Sequence, residues 1–167
     1  SKDIPDPDTY VRMPLTERTT ATPMTYRSGG RQFVVIATGS GESAELLAFA
    51  LASHPVTNAE FRAFMADGGY RRPELWLSLG WDTVQARGWD APLYWRCEDG
   101  EWRIFTLSGE RRLDPAEPVC HVSFYEADAF ARWAGKRLPS EAEWEVAAAD
   151  VPLSGNLADN RVYHPCP

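Results

Sequence analysis

The chain has 167 residues, 44% of them hydrophobic and 25% charged, the make-up of a soluble globular domain and not of a disordered segment. Its 17 lysines and arginines stand against 24 aspartates and glutamates, a net charge of -7 with no basic run, so it lacks the phosphate-neutralising surface of a nucleic-acid binder. No apolar stretch approaches the about 18 residues of a membrane helix, and the opening SKDIPDPDTY has neither a basic start nor an apolar core, so no membrane partner and a cytoplasmic location are expected.

In chain order, residues 1–19 are polar and rich in Pro and Thr, a tail or an edge segment. Strand signals follow. TPMTYR forms a short strand, SGG a turn able to supply positive φ, and RQFVVIAT a strand loaded with β-branched residues. TGSGES is a second Gly-rich turn, and AELLAFALA is a third strand or a short helix, which periodicity alone does not separate. GSGES could be read as a phosphate loop, but no Lys follows it and the preceding strand reads as one arm of a hairpin, so it is a hairpin turn.

After Pro55 the pattern turns helical. Thr57 with Glu60, Ser123 with Glu126, and Ser140 with Glu143 each form an S/T-x-x-E box, in which hydroxyl and carboxylate satisfy N–H groups that a helix start leaves without partners. Three helices are predicted, with Phe61, Phe64 and Met65, then Ala127, Phe130 and Trp133, then Trp144, Ala147 and Ala148 along their apolar sides. A further helix is predicted across PELWLSLGWDTVQARG, opened by Pro73 and ended near Gly88. LYWRCEDGEWRIFTL reads as a hairpin turning at Glu-Asp-Gly, and PVCHVS as a short strand leading into the next helix.

The capping carboxylates have the chemistry of an acid and a base, but their spacing meets a backbone need and capping accounts for them. Tyr70, Trp76, Trp81, Trp89, Tyr94, Trp95 and Trp102 could stack a sugar or a base, and are assigned instead to the core. Cys97, Cys120 and Cys166 are odd in number and show no CxxC spacing, so reduced thiols are expected. His54, His121 and His164 are the minimum for a three-histidine zinc site with an open position, which would make the chain a metal-dependent hydrolase. His164 and Cys166 share a face in an extended segment, whereas Cys120 and His121 point apart. Ser123 near His121 lacks a GxSxG elbow, and its capping duty explains it.

Two resemblances organise these elements. Residues 8–51, above all MTYRSGGRQFVVIATG, resemble the last blade of the propeller of quinoprotein (PQQ-dependent) dehydrogenases; the rest of that propeller, with its quinone and calcium ligands, is absent from the sequence. Residues 49–167, through PVTNAEFRAFM, GYRRPELWLSLGWDTVQARGWDAPLYW, GKRLPSEAEWE and GNLADNRVYHPCP, resemble the first half of the C-terminal domain of hercynine oxygenases, the ergothioneine-type sulfoxide synthases. That domain has the formylglycine-generating-enzyme (sulfatase-modifying factor) fold, a relative of the C-type lectin fold. The resemblance implies an iron(II) enzyme joining oxygen, a trimethylated histidine and a thiol. In that family the iron ligands lie in a separate helical-bundle domain, and the main substrate contacts and the formylglycine cysteine pair in a second half that this sequence does not contain.

The resulting expectation is an α+β chain: a tail over 1–19, a quinoprotein-like β-hairpin segment over 20–51 and a truncated formylglycine-generating-enzyme-like domain over 52–167. The two segments are expected to join near residues 48–52 as a chimera. A non-catalytic fragment related to the substrate-binding domain of a C–S bond-forming oxygenase is the expected role, with no catalytic or cofactor-binding residue carried over. A self-associating module is the other alternative, because half a domain leaves strand edges and apolar faces that recruit a second copy into a homodimer, with or without exchanged segments.

Overall fold

The computed structural model describes residues 13–14, 24–28, 31–38, 45–149, 151–152 and 154–166, with side chains from Ala50 onward. These fall into two compact units. Residues 1–54 with 139–152 make the first, and residues 55–138 with 153–167 the second.

The first unit holds four antiparallel strands in the order β1-β4-β3-β2: β1 (Met13–Pro14), β2 (Met24–Ser28), β3 (Arg31–Thr38) and β4 (Glu45–Leu51). Thr25 opposes Val34 and Val34 opposes Phe49, so the β-branched run lies in the middle of the sheet, where such residues pack well on a pleated surface. The segment that fitted strand or helix is therefore strand β4. Met13 pairs with Leu46, which leaves β1 at the sheet's edge. Most of the 1–19 tail, the two glycines of the SGG turn and the GSGES turn lie outside the described residues. A short helix of the same unit, α4 (Glu141–Ala148), runs beside β3 and starts with the Ser140/Glu143 box. Its expected apolar face is corrected: Trp144 is exposed, and Glu143, drawn back onto the cap, is the buried residue.

The second unit begins with α1 (Asn58–Ala66), and its first turn shows how helix and loop fix each other. The N–H groups at its start have no partners within the helix. Asn58 N donates to Glu117 O at 2.8 Å, Ala59 N to Pro115 O at 3.0 Å, and Glu60 N to the Thr57 hydroxyl at 3.3 Å. The Asn58 amide adds a 2.7 Å bond to Asp114 O, so the 114–118 loop is tied across the helix start. Two turns of 3-10 helix follow, Gly69–Arg71 and Pro73–Leu75, then α2 (Ser78–Arg87), which Gly88 ends in the left-handed conformation. The predicted single helix thus splits at Trp76–Leu77, where the backbone turns extended and the Trp76 indole donates to Gly69 O at 2.8 Å.

Strands β5 (Trp95–Glu98) and β6 (Glu101–Thr106) form the predicted hairpin, and β7 (Gly109–Arg112) adds a third antiparallel strand beside β6. PVCHVS is not a strand: one isolated bridge, Thr57 to Pro118, is its β pairing among the described residues. Backbone is held there by the α1 entry, through Val119 N to Val56 O, and not by a sheet. The last helix of the unit, α3 (Phe124–Trp133), buries Glu126 and Ala129 and packs Phe130 and Trp133 on the core, a stripe turned slightly from the expected Ala127, Phe130 and Trp133.

Phe61 and Phe64 of α1 sit at the centre of this core, 1% and 0% exposed; burying each stabilises the fold by about 1.5–3 kcal/mol relative to solvent. Phe130 stacks on Phe61 with ring centroids 5.5 Å apart, and Trp133 meets Phe64 edge-on at 5.8 Å. Tyr70, Trp76 and Trp95 are buried, and Trp81, Trp89 and Trp102 pack partly buried against the two core clusters. Tyr94, half exposed, is the member of the aromatic set that leaves the core.

Candidate functional site

Two carboxylates buried in the second unit are its most chemically distinctive groups. Glu126 is placed by the capping geometry of α3: one oxygen accepts from Ser123 N at 2.6 Å while Glu126 N donates to the Ser123 hydroxyl at 3.2 Å. Its other oxygen accepts from the Tyr70 hydroxyl at 2.5 Å, joining the turn after α1 to α3. Burial, reinforced by the Glu126 charge and hydrogen bond, pushes the Tyr70 phenol far above its ordinary value, so it acts as a fixed donor and not as a base.

Glu117 sits on the loop that the α1 start holds in place. Its two oxygens accept from the Arg111 guanidinium at 2.9 and 2.7 Å, and the second also meets His164 Nε2 at 3.2 Å. The side chains of His164 and Glu117 are 15% and 10% exposed, so this pairing is little screened by water. Nearby Cys120 is half-buried, and burial, then the Glu117 charge, push its thiol up against a smaller opposing effect of Arg111. Cys120 is therefore held as a neutral thiol, unsuited to nucleophilic attack at neutral pH.

A third grouping faces solvent. Tyr94 and His121 both adopt left-handed backbone, φ 70° and 62°, a conformation that costs a non-glycine residue about 1–2 kcal/mol. Their rings meet edge-on at 5.0 Å, Phe105 lies 6.4 Å from Tyr94, and the chains are tied by Leu93 N to His121 O at 3.2 Å. Leu93, Tyr94, Phe105 and Leu107 are all more than half exposed.

The candidate zinc histidines are thus found in separate settings. His54 belongs to the first unit, His121 packs on Tyr94 and His164 on Glu117. Among the described residues, no three His, Cys, Asp or Glu side chains are gathered as a metal ion requires. Cys97, Cys120 and Cys166 are free thiols, and no helix of the described residues is long and apolar enough to cross a membrane. Sequence reasoning missed Arg111 and Glu117 as members of a cluster, and the signal available for them was faint: an RRLDPAE stretch ahead of an apolar segment. His164 borders a shallow depression of about 430 Å³ lined with Asn156, Leu157, Ala158, Tyr163 and Pro165.

These elements define an α+β chain with a capped-helix and tryptophan core. Residues 15–163 match the model of the sulfatase-modifying factor enzyme 1-like domain, and the chain belongs to that family. The matched range takes in most of the stretch that resembles a propeller blade. Over 108 residues the chain is 44% identical to a hercynine oxygenase of Mycolicibacterium thermoresistibile, covering 65% of this chain and 24% of that protein. The hercynine oxygenase of Mycobacterium tuberculosis is 46% identical over 110 residues, 65% of this chain and 25% of the relative. A formylglycine-generating enzyme of Thermomonospora curvata is 34% identical over 138 residues, 74% of this chain and 46% of that enzyme. The chain therefore spans about a quarter of the length of the hercynine oxygenases it matches.

Proposed function

We propose that this chain is a non-catalytic scaffold, related to the substrate-binding part of an oxygenase that forms C–S bonds, and that it carries out no reaction by itself. The observation that carries this reading is the use of its two buried carboxylates. Glu126 holds a helix cap and the Tyr70 hydroxyl, and Glu117 holds Arg111 and His164, so each serves the fold. A general acid or base needs a proton-transfer atom directed at a substrate, and these oxygens are directed at fixed protein donors. Similarity to hercynine oxygenases supplies the parent chemistry, and hercynine is the ligand to try. Calorimetric titration of the chain with hercynine to millimolar concentration is expected to give only heats of dilution. A saturable isotherm would overturn the scaffold reading.

Pairing of two copies is a second reading, favoured by the exposed and neighbouring Leu93, Tyr94 and Phe105, since contiguous apolar surface on a protein marks an interaction site. Light scattering behind size-exclusion chromatography would give twice the 18.7 kDa chain mass if so, and 18.7 kDa at all concentrations would dispose of it. Fusion of residues 1–51 to an unrelated parent is part of the same proposal; its support is the change from strand grammar to helix grammar at Pro55.

A further inference from the structure

Residues 154–166 carry little regular structure, one turn of 3-10 helix at Ala158–Asn160, yet they are braced internally. The Asn156 amide donates to His164 O at 2.6 Å, the Asn160 amide to Gly155 O at 2.7 Å, and Leu157 N to Gly155 O at 2.9 Å. Such cross-bonding makes a short loop move as one piece. Its ties outward are few. Among the described residues, the hydrogen bond that joins it to the rest of its unit is His164 Nε2 with Glu117. Leu157, Val162 and Tyr163 are about half exposed or more, so the apolar residues of the segment do little to fasten it. Gly155, at φ 145° with open space around its Cβ position, is a backbone joint that other residues rarely adopt.

We propose that residues 154–166 form a strap that opens and closes as one body, with the His164–Glu117 bond as its latch. In the closed state the imidazole and the carboxylate satisfy each other. Opening frees His164 and leaves Glu117 held by Arg111. Regions fastened by few contacts open with free energies well below that of global unfolding, and the strap is expected at that low end.

Amide hydrogen exchange of the full chain tests this through Leu157, Asn160 and Arg161, whose N–H groups are bonded inside the strap, against the amides of α1. In the unaltered chain the strap amides are expected to exchange together and faster than those of α1. His164→Ala should accelerate them about tenfold while α1 stays protected, since a hydrogen bond to a charged group is typically worth a factor of that size or more. His164→Gln, which keeps a side-chain N–H able to reach Glu117, should restore most of the protection. Strap amides that exchange only at the α1 rate in the unaltered chain overturn the proposal. So does His164→Ala within twofold of the unaltered chain, or His164→Gln as fast as His164→Ala. Should His164→Ala lose α1 protection as well, the unaltered chain and His164→Gln decide the matter alone.

Discussion

Replacing Glu126 with Ala separates two roles that its neighbours in sequence do not share. Glu126 is 3% exposed, closes the α3 capping box and accepts the buried Tyr70 hydroxyl. Loss of the reciprocal cap costs about 1 kcal/mol. Tyr70 is 5% exposed, and leaving its hydroxyl without an acceptor in that setting adds about 1–3 kcal/mol, for a total of about 2–4 kcal/mol. The comparison is Glu60→Ala, which removes the same box from α1 where the carboxylate faces solvent, at an expected cost of about 0.5–1 kcal/mol. Denaturant unfolding followed by tryptophan fluorescence reads both, with an unchanged slope showing that the compactness of the end states is the same. Adding Tyr70→Phe and the double variant gives a cycle whose coupling should reach about 1.5–3 kcal/mol. If Glu126→Ala and Glu60→Ala agree within about 0.5 kcal/mol, the buried Tyr70 bond contributes nothing and the reasoning is refuted.

Alkaline conditions test Tyr70 in another way. Its folded-state pKa lies above the ordinary 10.0, so from about pH 10 the unfolded chain releases a proton that the folded chain keeps. Stability should therefore fall as pH rises past that point, by about 1.4 kcal/mol per pH unit for this group, and Tyr70→Phe should remove that part of the slope in unfolding midpoints between pH 9 and 11. Thiol labelling at pH 8 should modify exposed Cys97 and Cys166 at least tenfold faster than Cys120, whose thiol is half-buried and raised by burial and by Glu117; equal rates would contradict this. Gly69→Ala places a methyl 2.1–2.4 Å from the Phe64 ring and should cost about 1–3 kcal/mol in the same unfolding assay, since the ring has no room to withdraw in a packed core.

What the sequence showed plainly was local. The three capping boxes, the Gly88 stop and the Glu-Asp-Gly hairpin turn each need only residues within a few positions of one another, and each is present. Strand β7 was missed because Gly-Glu-Arg-Arg has none of the β-branched or aromatic residues that mark a strand; pairing with β6 recruits it all the same. PVCHVS misled in the opposite sense, since Val119 and Val122 are apolar because they pack on the core and not because they pair in a sheet. The Tyr70–Glu126 and Glu117–His164 contacts join residues 56 and 47 positions apart, and no short-range pattern announces them. Glu126 was legible as a cap and illegible as a tyrosine acceptor, because the second role exists only once α1, its following turn and α3 have packed.

The most direct measurement incubates the 167-residue chain with hercynine, a thiol, oxygen and iron(II), and follows the sulfoxide product by mass spectrometry. Product at the level of the protein-free control is the outcome expected of a scaffold whose buried carboxylates serve the fold. Product that accumulates with chain concentration and disappears on heating would contradict it, and would place catalytic groups among residues assigned here to structure.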